Sequence, residues 1–102
     1  MVRARSMQEY QDLIKQALFE VEDLRASLES DEEFMGEAIV FLDPLEASIR
    51  ELHRSVTDGL YRFSKQNLPF MSIVNNTDAN LLPFKTLLIR INETHVHGLE
   101  PH

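Results

Sequence analysis

Residues 7–28 read MQEYQDLIKQALFEVEDLRASL, and residues 35–56 read MGEAIVFLDPLEASIRELHRSV. In the first stretch Met7, Tyr10, Ile14, Ala17, Val21, Leu24 and Leu28 follow one another by alternating steps of three and four. In the second, Met35, Ala38, Leu42, Leu45, Ile49, Leu52 and Val56 do the same. Such steps keep every member on one side of an α-helix, whereas a strand would scatter them over both faces. Only Glu29 to Phe34 separates the two ladders. A connection that short folds the helices back on each other as an antiparallel pair.

Local signals set the expected ends at about 6–28 and 31–58. Ser6-Met7-Gln8-Glu9 is a capping box, in which the serine accepts from a free backbone N–H and the glutamate reaches back. Ser30-Asp31-Glu32-Glu33 offers a second. Its three acids also suit the positive end of a helix dipole, which accounts for the cluster without a metal. Gly36 weakens its helix by about 1 kcal/mol relative to alanine and marks either a close backbone approach or nothing. Pro44 cannot donate to the carbonyl of Val40. Either it breaks the helix, with Asp43 as a new cap and Glu46 completing the box, or it kinks one helix. The ladder passes Leu42, Leu45 and Ile49 in phase, which favours the kink. Thr57-Asp58-Gly59 reads as a stop, with continuation through Leu60 and Phe63 as the alternative.

Residues 60–66 are left open between helix, strand and loop. Asn67-Leu68-Pro69-Phe70 and Asn80-Leu81-Leu82-Pro83-Phe84 each pair an asparagine cap with proline in the first turn. They predict a short helix over about 68–74 and a longer one over about 81–97, joined by a turn at Asn75-Asn76-Thr77-Asp78. The last helix carries Leu81, Phe84, Leu87, Leu88 and Ile91, with Leu82 and Ile89 widening its face, and Gly98 terminates it. Leu13 and Leu18 likewise make the first apolar face wider than a two-helix seam requires. The hairpin therefore needs a cover. The expected fold is all-α, one helical domain over 1–102, with a long hairpin packed by the C-terminal helices as an irregular three- to four-helix bundle.

Composition narrows the function. A chain of 102 residues, 43% hydrophobic and 26% charged, is ordinary for a soluble globular protein. It has no cysteine, which excludes disulfides, thiolate metal sites and cysteine nucleophiles, and fits a reducing compartment. The start, Met-Val-Arg-Ala-Arg-Ser, has no apolar run behind it, and the longest apolar stretch, Ala38 to Leu42, is too short to span a bilayer. A cytoplasmic location with no membrane association is expected. Without a secretion signal, the triplets Asn75-Asn76-Thr77 and Asn92-Glu93-Thr94 are read as chance matches to the glycosylation pattern. Net charge is -7, and residues 20–58 hold twelve acidic and three basic side chains. That acidic belt repels phosphate backbones, so nucleic acid is not an expected partner.

Phe34-Met35-Gly36, near the hairpin turn, resembles over three residues the Trp-x-Gly turn of small secreted helical hairpins. Phenylalanine stands in place of the tryptophan, and Pro44, Pro69 and Pro83 do not suit two long uninterrupted helices. The chain is not assigned to that family.

No catalytic, cofactor or metal residues are assigned. His95 and His97 stand two apart, about 200° on a helix, so one helix cannot aim both at one ion. His53, among Arg50, Glu51 and Arg54, reads as a surface residue. No glutamate lies three residues before a histidine, and the ladders contain no acid, which argues against a di-metal bundle. With glycines only at 36, 59 and 98, there is no phosphate-binding loop or nucleotide fingerprint. The candidate interaction surface is Tyr61, Phe63, Phe70, Met71, Phe84 and Leu88. The expected function is a non-enzymatic protein-interaction module, an adaptor, small regulator or chaperone-like protein with a protein partner and a twofold homodimer as the default self-association. The alternative is a ligand- or metal-binding helical bundle using His95, His97 or a pocket lined by Phe63, Phe70 and Phe84.

Overall fold

A computed structural model describes residues 2–29 and 32–101, and the side chains of residues 32–35 and 37 fall outside that set. Among the described residues the structure is helical without strands, in the order α1 (Met7–Glu29), α2 (Glu32–Thr57), α3 (Met71–Asn76) and α4 (Lys85–His97). The all-α bundle expected from the ladders is the observed one. Its long dimension, 45 Å against 25 and 21 Å, is set by the hairpin. A 26-residue helix such as α2 spans about 39 Å at 1.5 Å per residue.

The ladders form the core of that hairpin. Tyr10, Ile14, Ala17 and Val21 of α1 meet Ala38, Leu42, Leu45, Ile49 and Leu52 of α2, all buried. Leu24, Leu28 and Val56 pack as partly buried neighbours, and Met7 emerges to solvent at the start of α1. Ion pairs cross the outside of the seam. Arg25 reaches Asp43 at 3.0 Å and Glu46 at 3.7 Å, and Arg50 reaches Glu22 at 3.5 Å. Part of the acidic belt is thus neutralised across the hairpin, each exposed pair contributing about 0.2–1 kcal/mol.

Pro44 lies inside one continuous α2. Gly36 does not mark a close approach, since a Cβ built there meets nothing within 4 Å. Half of the first capping box is present. The Glu9 amide donates to Ser6 Oγ at 3.1 Å, but the Glu9 carboxylate turns away to Arg90 of α4 at 3.2 Å. An ion pair to another helix has displaced the reciprocal arm. The second box, at Ser30 to Glu33, lies outside the described residues and side chains. At the far end of α2 the Gly59 amide bonds Val56 O and the Leu60 amide bonds Ser55 O, with Gly59 at φ 75°. This is a Schellman stop, and the chain leaves the helix there.

Beyond Gly59 the expected boundaries shift. The helix expected over 68–74 begins at Met71, because Asn67 and the Leu68 amide are engaged by Asn92 of α4 instead of by a helix start. The helix expected from 81 begins at Lys85. Asp78, not Asn80, organises that approach. Its carboxylate accepts from the Asn80 amide at 2.8 Å and its carbonyl from the Leu81 and Leu82 amides, forming a separate turn before Pro83. Gly98, at φ 81°, ends α4 with its amide on Thr94 O.

Helix α4 lies on α1 and α3, and its Leu88 and Ile91, with Leu82 and Phe84 from the turn before it, close the wide face of the hairpin. The segment before α1 is stitched to the end of α4. The Ala4 amide donates to Thr94 Oγ1 at 3.0 Å, the Glu100 amide to Ala4 O at 2.8 Å, and Arg90 Nε to Val2 O at 2.6 Å. No helix among the described residues is long and apolar enough to cross a membrane.

Candidate functional site

Four of the six residues expected to form an interaction surface are core residues. Phe70 and Leu88 are fully buried, and Met71 and Phe84 nearly so. The apolar face of the C-terminal region is consumed in covering the hairpin and α3, which is why these side chains point inward. Tyr61 and Phe63 remain near the surface, the latter 40% exposed.

Those two belong to an aromatic cluster that pins the irregular segment after α2. Tyr61 packs 5.4 Å from Tyr10 and edge-on to Phe63 at 5.2 Å between ring centroids. The Tyr10 and Tyr61 hydroxyls are 3.0 Å apart, and the Tyr61 hydroxyl is 2.5 Å from His95 Nδ1. The Gln66 backbone lies beside the His95 ring. These contacts assign one consistent set of protons. His95 Nδ1 accepts from Tyr61, and the Tyr61 oxygen accepts from Tyr10.

The titration tendencies agree with that direction. Burial, then the hydrogen bond to Tyr61, pushes the Tyr10 phenol far up, as befits a donor. Burial pushes Tyr61 up to about 12, while accepting from Tyr10 pulls it partly back. Burial lowers His95 below its ordinary value, opposed by the Gln66 contact. That lowering favours the neutral imidazole, whose Nδ1 can serve as an acceptor.

Next to this network lies an open cleft of about 520 Å³ between the second half of α2, the segment 60–70 and His95. Its walls include Leu52, Leu60, Leu68, Pro69 and Phe70, and its charged residues are Glu51 and Arg62. Leu60 is 77% exposed. The pocket expected from Phe63, Phe70 and Phe84 does not form, since only Phe70 reaches this cleft. Phe63 borders a smaller depression with Lys65 and His97, and Phe84 is in the core. A further groove, also about 520 Å³, runs between α2 and α3 past Val40, Phe41, Ile73 and Leu81.

His97 points away from His95, is exposed and sits 3.2 Å from Glu93. No group of three or more histidine, aspartate or glutamate side chains that could hold a metal occurs among the described residues. His53 is half-buried, not a plain surface residue, and its Nε2 is covered without a hydrogen-bond partner among the described residues.

In the sequence Asn92 and Thr94 stand out only as ends of a chance glycosylation triplet, with no sign of their structural role. Asn92 Oδ1 accepts from the Leu68 amide at 2.7 Å and its Nδ2 donates to Asn67 Oδ1 at 3.0 Å, holding the wall of the cleft onto α4. A signal existed for their neighbour. The steps Phe84, Leu88 and Ile91 continue by four onto His95, so a polar ring stands at a core position of the stripe. Comparison with known protein families, curated proteins and solved structures returns no match for this chain.

Proposed function

We propose that this chain is a non-enzymatic protein-interaction module, an adaptor, small regulator or chaperone-like protein of the cytoplasm, and that it works through the cleft beside Leu60. The observation that supports it is an open, largely apolar cleft with a leucine standing 77% exposed at its edge. Exposed leucines are common singly, but one bordering a concave apolar wall favours a contact with another chain. The polar groups of the cleft favour binding over catalysis. Tyr61 and the His95 Nδ1 spend their hydrogen-bonding capacity on Tyr10 and each other.

The test is affinity purification of the tagged full chain from its native host beside Leu60→Glu. That side chain is exposed, so the substitution leaves the fold intact. A partner retained by the unsubstituted chain and lost with Leu60→Glu is the expected result. Clean isolation of the unsubstituted chain at native abundance, or equal capture by both, overturns the reading. For self-association, light scattering after size exclusion is decisive, and a strict monomer at high concentration removes the twofold dimer.

A further inference from the structure

Arg62 lines the cleft, is exposed, and has no hydrogen bond or ion pair among the described residues. The other charged residue of the lining, Glu51, is held by Arg54 at 2.9 Å. Ser55 Oγ donates to the Leu52 carbonyl, and the Tyr61 and His95 groups are already committed to their own network. The cleft therefore presents apolar walls and one cation with unused donors. A guanidinium is a planar fork that matches a carboxylate in two parallel hydrogen bonds. The charged residues of the half of α2 beside the cleft are paired among themselves, Arg50 with Glu46 and Arg54 with Glu51. One free guanidinium therefore matches one carboxylate, and a run of acidic residues would find no further cation there.

We propose that the cleft binds the C-terminal end of a partner polypeptide, with a bulky apolar last side chain between Ala47, Leu60 and Pro69 and its free carboxylate on Arg62. This rests on the interaction-module reading and names the chemistry of the partner. Chain-end carboxylates are captured elsewhere by clustered backbone N–H donors, and here the guanidinium fork would supply the donors.

The experiment is a titration of the isotope-labelled full chain, followed by amide chemical shifts, with an N-acetylated peptide ending in Leu-Phe as the free acid and as its carboxamide. Shifts are expected at Leu52, Leu60 to Phe63 and Leu68. The acid should bind about three- to tenfold more tightly than the amide, as for one partly exposed charge-assisted pair. Arg62→Gln should erase that difference while leaving the spectrum otherwise folded, and Arg62→Lys should keep part of it. Equal binding of acid and amide, or shifts confined to the groove beside Val40, overturns chain-end recognition, as does the absence of shifts with either peptide. Dodecanoate binding more tightly than the acid peptide overturns the polypeptide in favour of a small amphiphile. The two proposals fail separately. A native partner lost with Leu60→Glu but kept with Arg62→Gln preserves the module and removes the carboxylate contact.

Discussion

Along α1 and α2 the residues that meet include Ile14, Ala17, Val21, Leu42, Leu45 and Ile49, repeated at one spacing and all aliphatic. After Gly59 the residues that decide the path are individuals. Asn92 holds Leu68 and Asn67, Thr94 holds Ala4, His95 holds Tyr61, and Asp78 holds its own turn. The first region is a periodic burial of surface, in which the register is set many times over. The second is a short irregular chain whose backbone groups need partners, supplied one by one from polar side chains buried on α4. The periodic part should tolerate changes of shape that conserve volume, and the irregular part should not tolerate loss of a single hydrogen-bonding group.

The largest expected effect breaks the hairpin by volume. Ile49→Ala leaves a cavity at a fully buried seam position and should cost about 2–5 kcal/mol in denaturant unfolding. Ile49→Leu, which keeps the volume, should cost less than about 1.5 kcal/mol. The counterpart in the irregular region is Asn92→Leu, similar in size but unable to accept from the Leu68 amide. It should cost about 1–3 kcal/mol, because a buried N–H loses its acceptor. If the two near-isosteric changes cost the same, the contrast between the regions fails.

A pH series separates the regions without mutating either. His95 titrates lower in the fold than in the unfolded chain, where its value is about 6.5. The unfolded state therefore takes up the proton first as pH falls. Stability should be level above about 6.5 and decline below it until the folded imidazole also protonates. The hydrogen bond from Tyr61 is lost with that last step. His95→Gln should flatten this part of the thermal-unfolding profile. At the alkaline end the phenols act in the opposite sense. Their raised values mean stability is full below about pH 10 and declines as pH rises through about 12 for Tyr61.

The smallest expected change is a gain. Gly36 sits inside α2 with open space around its missing Cβ. Gly36→Ala should raise stability by about 0.5–1 kcal/mol through helix propensity alone, measured by urea unfolding. A loss instead of a gain would show that the start of α2 is constrained by more than its own periodicity.

How far the sequence could be read follows the same division. The two ladders placed α1 and α2 to within about two residues, carried α2 through Pro44 and located the stops at Gly59 and Gly98. Each of those inferences depends on residues within one or two helical turns of each other. The expected starts of α3 and α4 missed by three and four residues, because Asn67 and Asn80 look like caps locally and only one of the competing partners is nearby. Asn67 is taken by Asn92, 25 positions away, and Asn80 is overruled by Asp78 two positions before it. The candidate surface was read from the same local pattern, and it could not say which apolar side chains of 61–88 would be spent on the core.

The residue spacing by itself determined that this chain is a helical hairpin in need of a cover, because a repeat of apolar steps has one low-energy way to leave water. Tertiary structure alone decided which C-terminal residues became that cover, that Tyr61 and His95 share a proton network with Tyr10, and that Arg62 has no partner among the described residues beside an apolar cleft. Those outcomes depend on hydrogen bonds and charges between groups as far apart in sequence as Ala4 and Glu100, whose meeting is fixed only once the helices have packed.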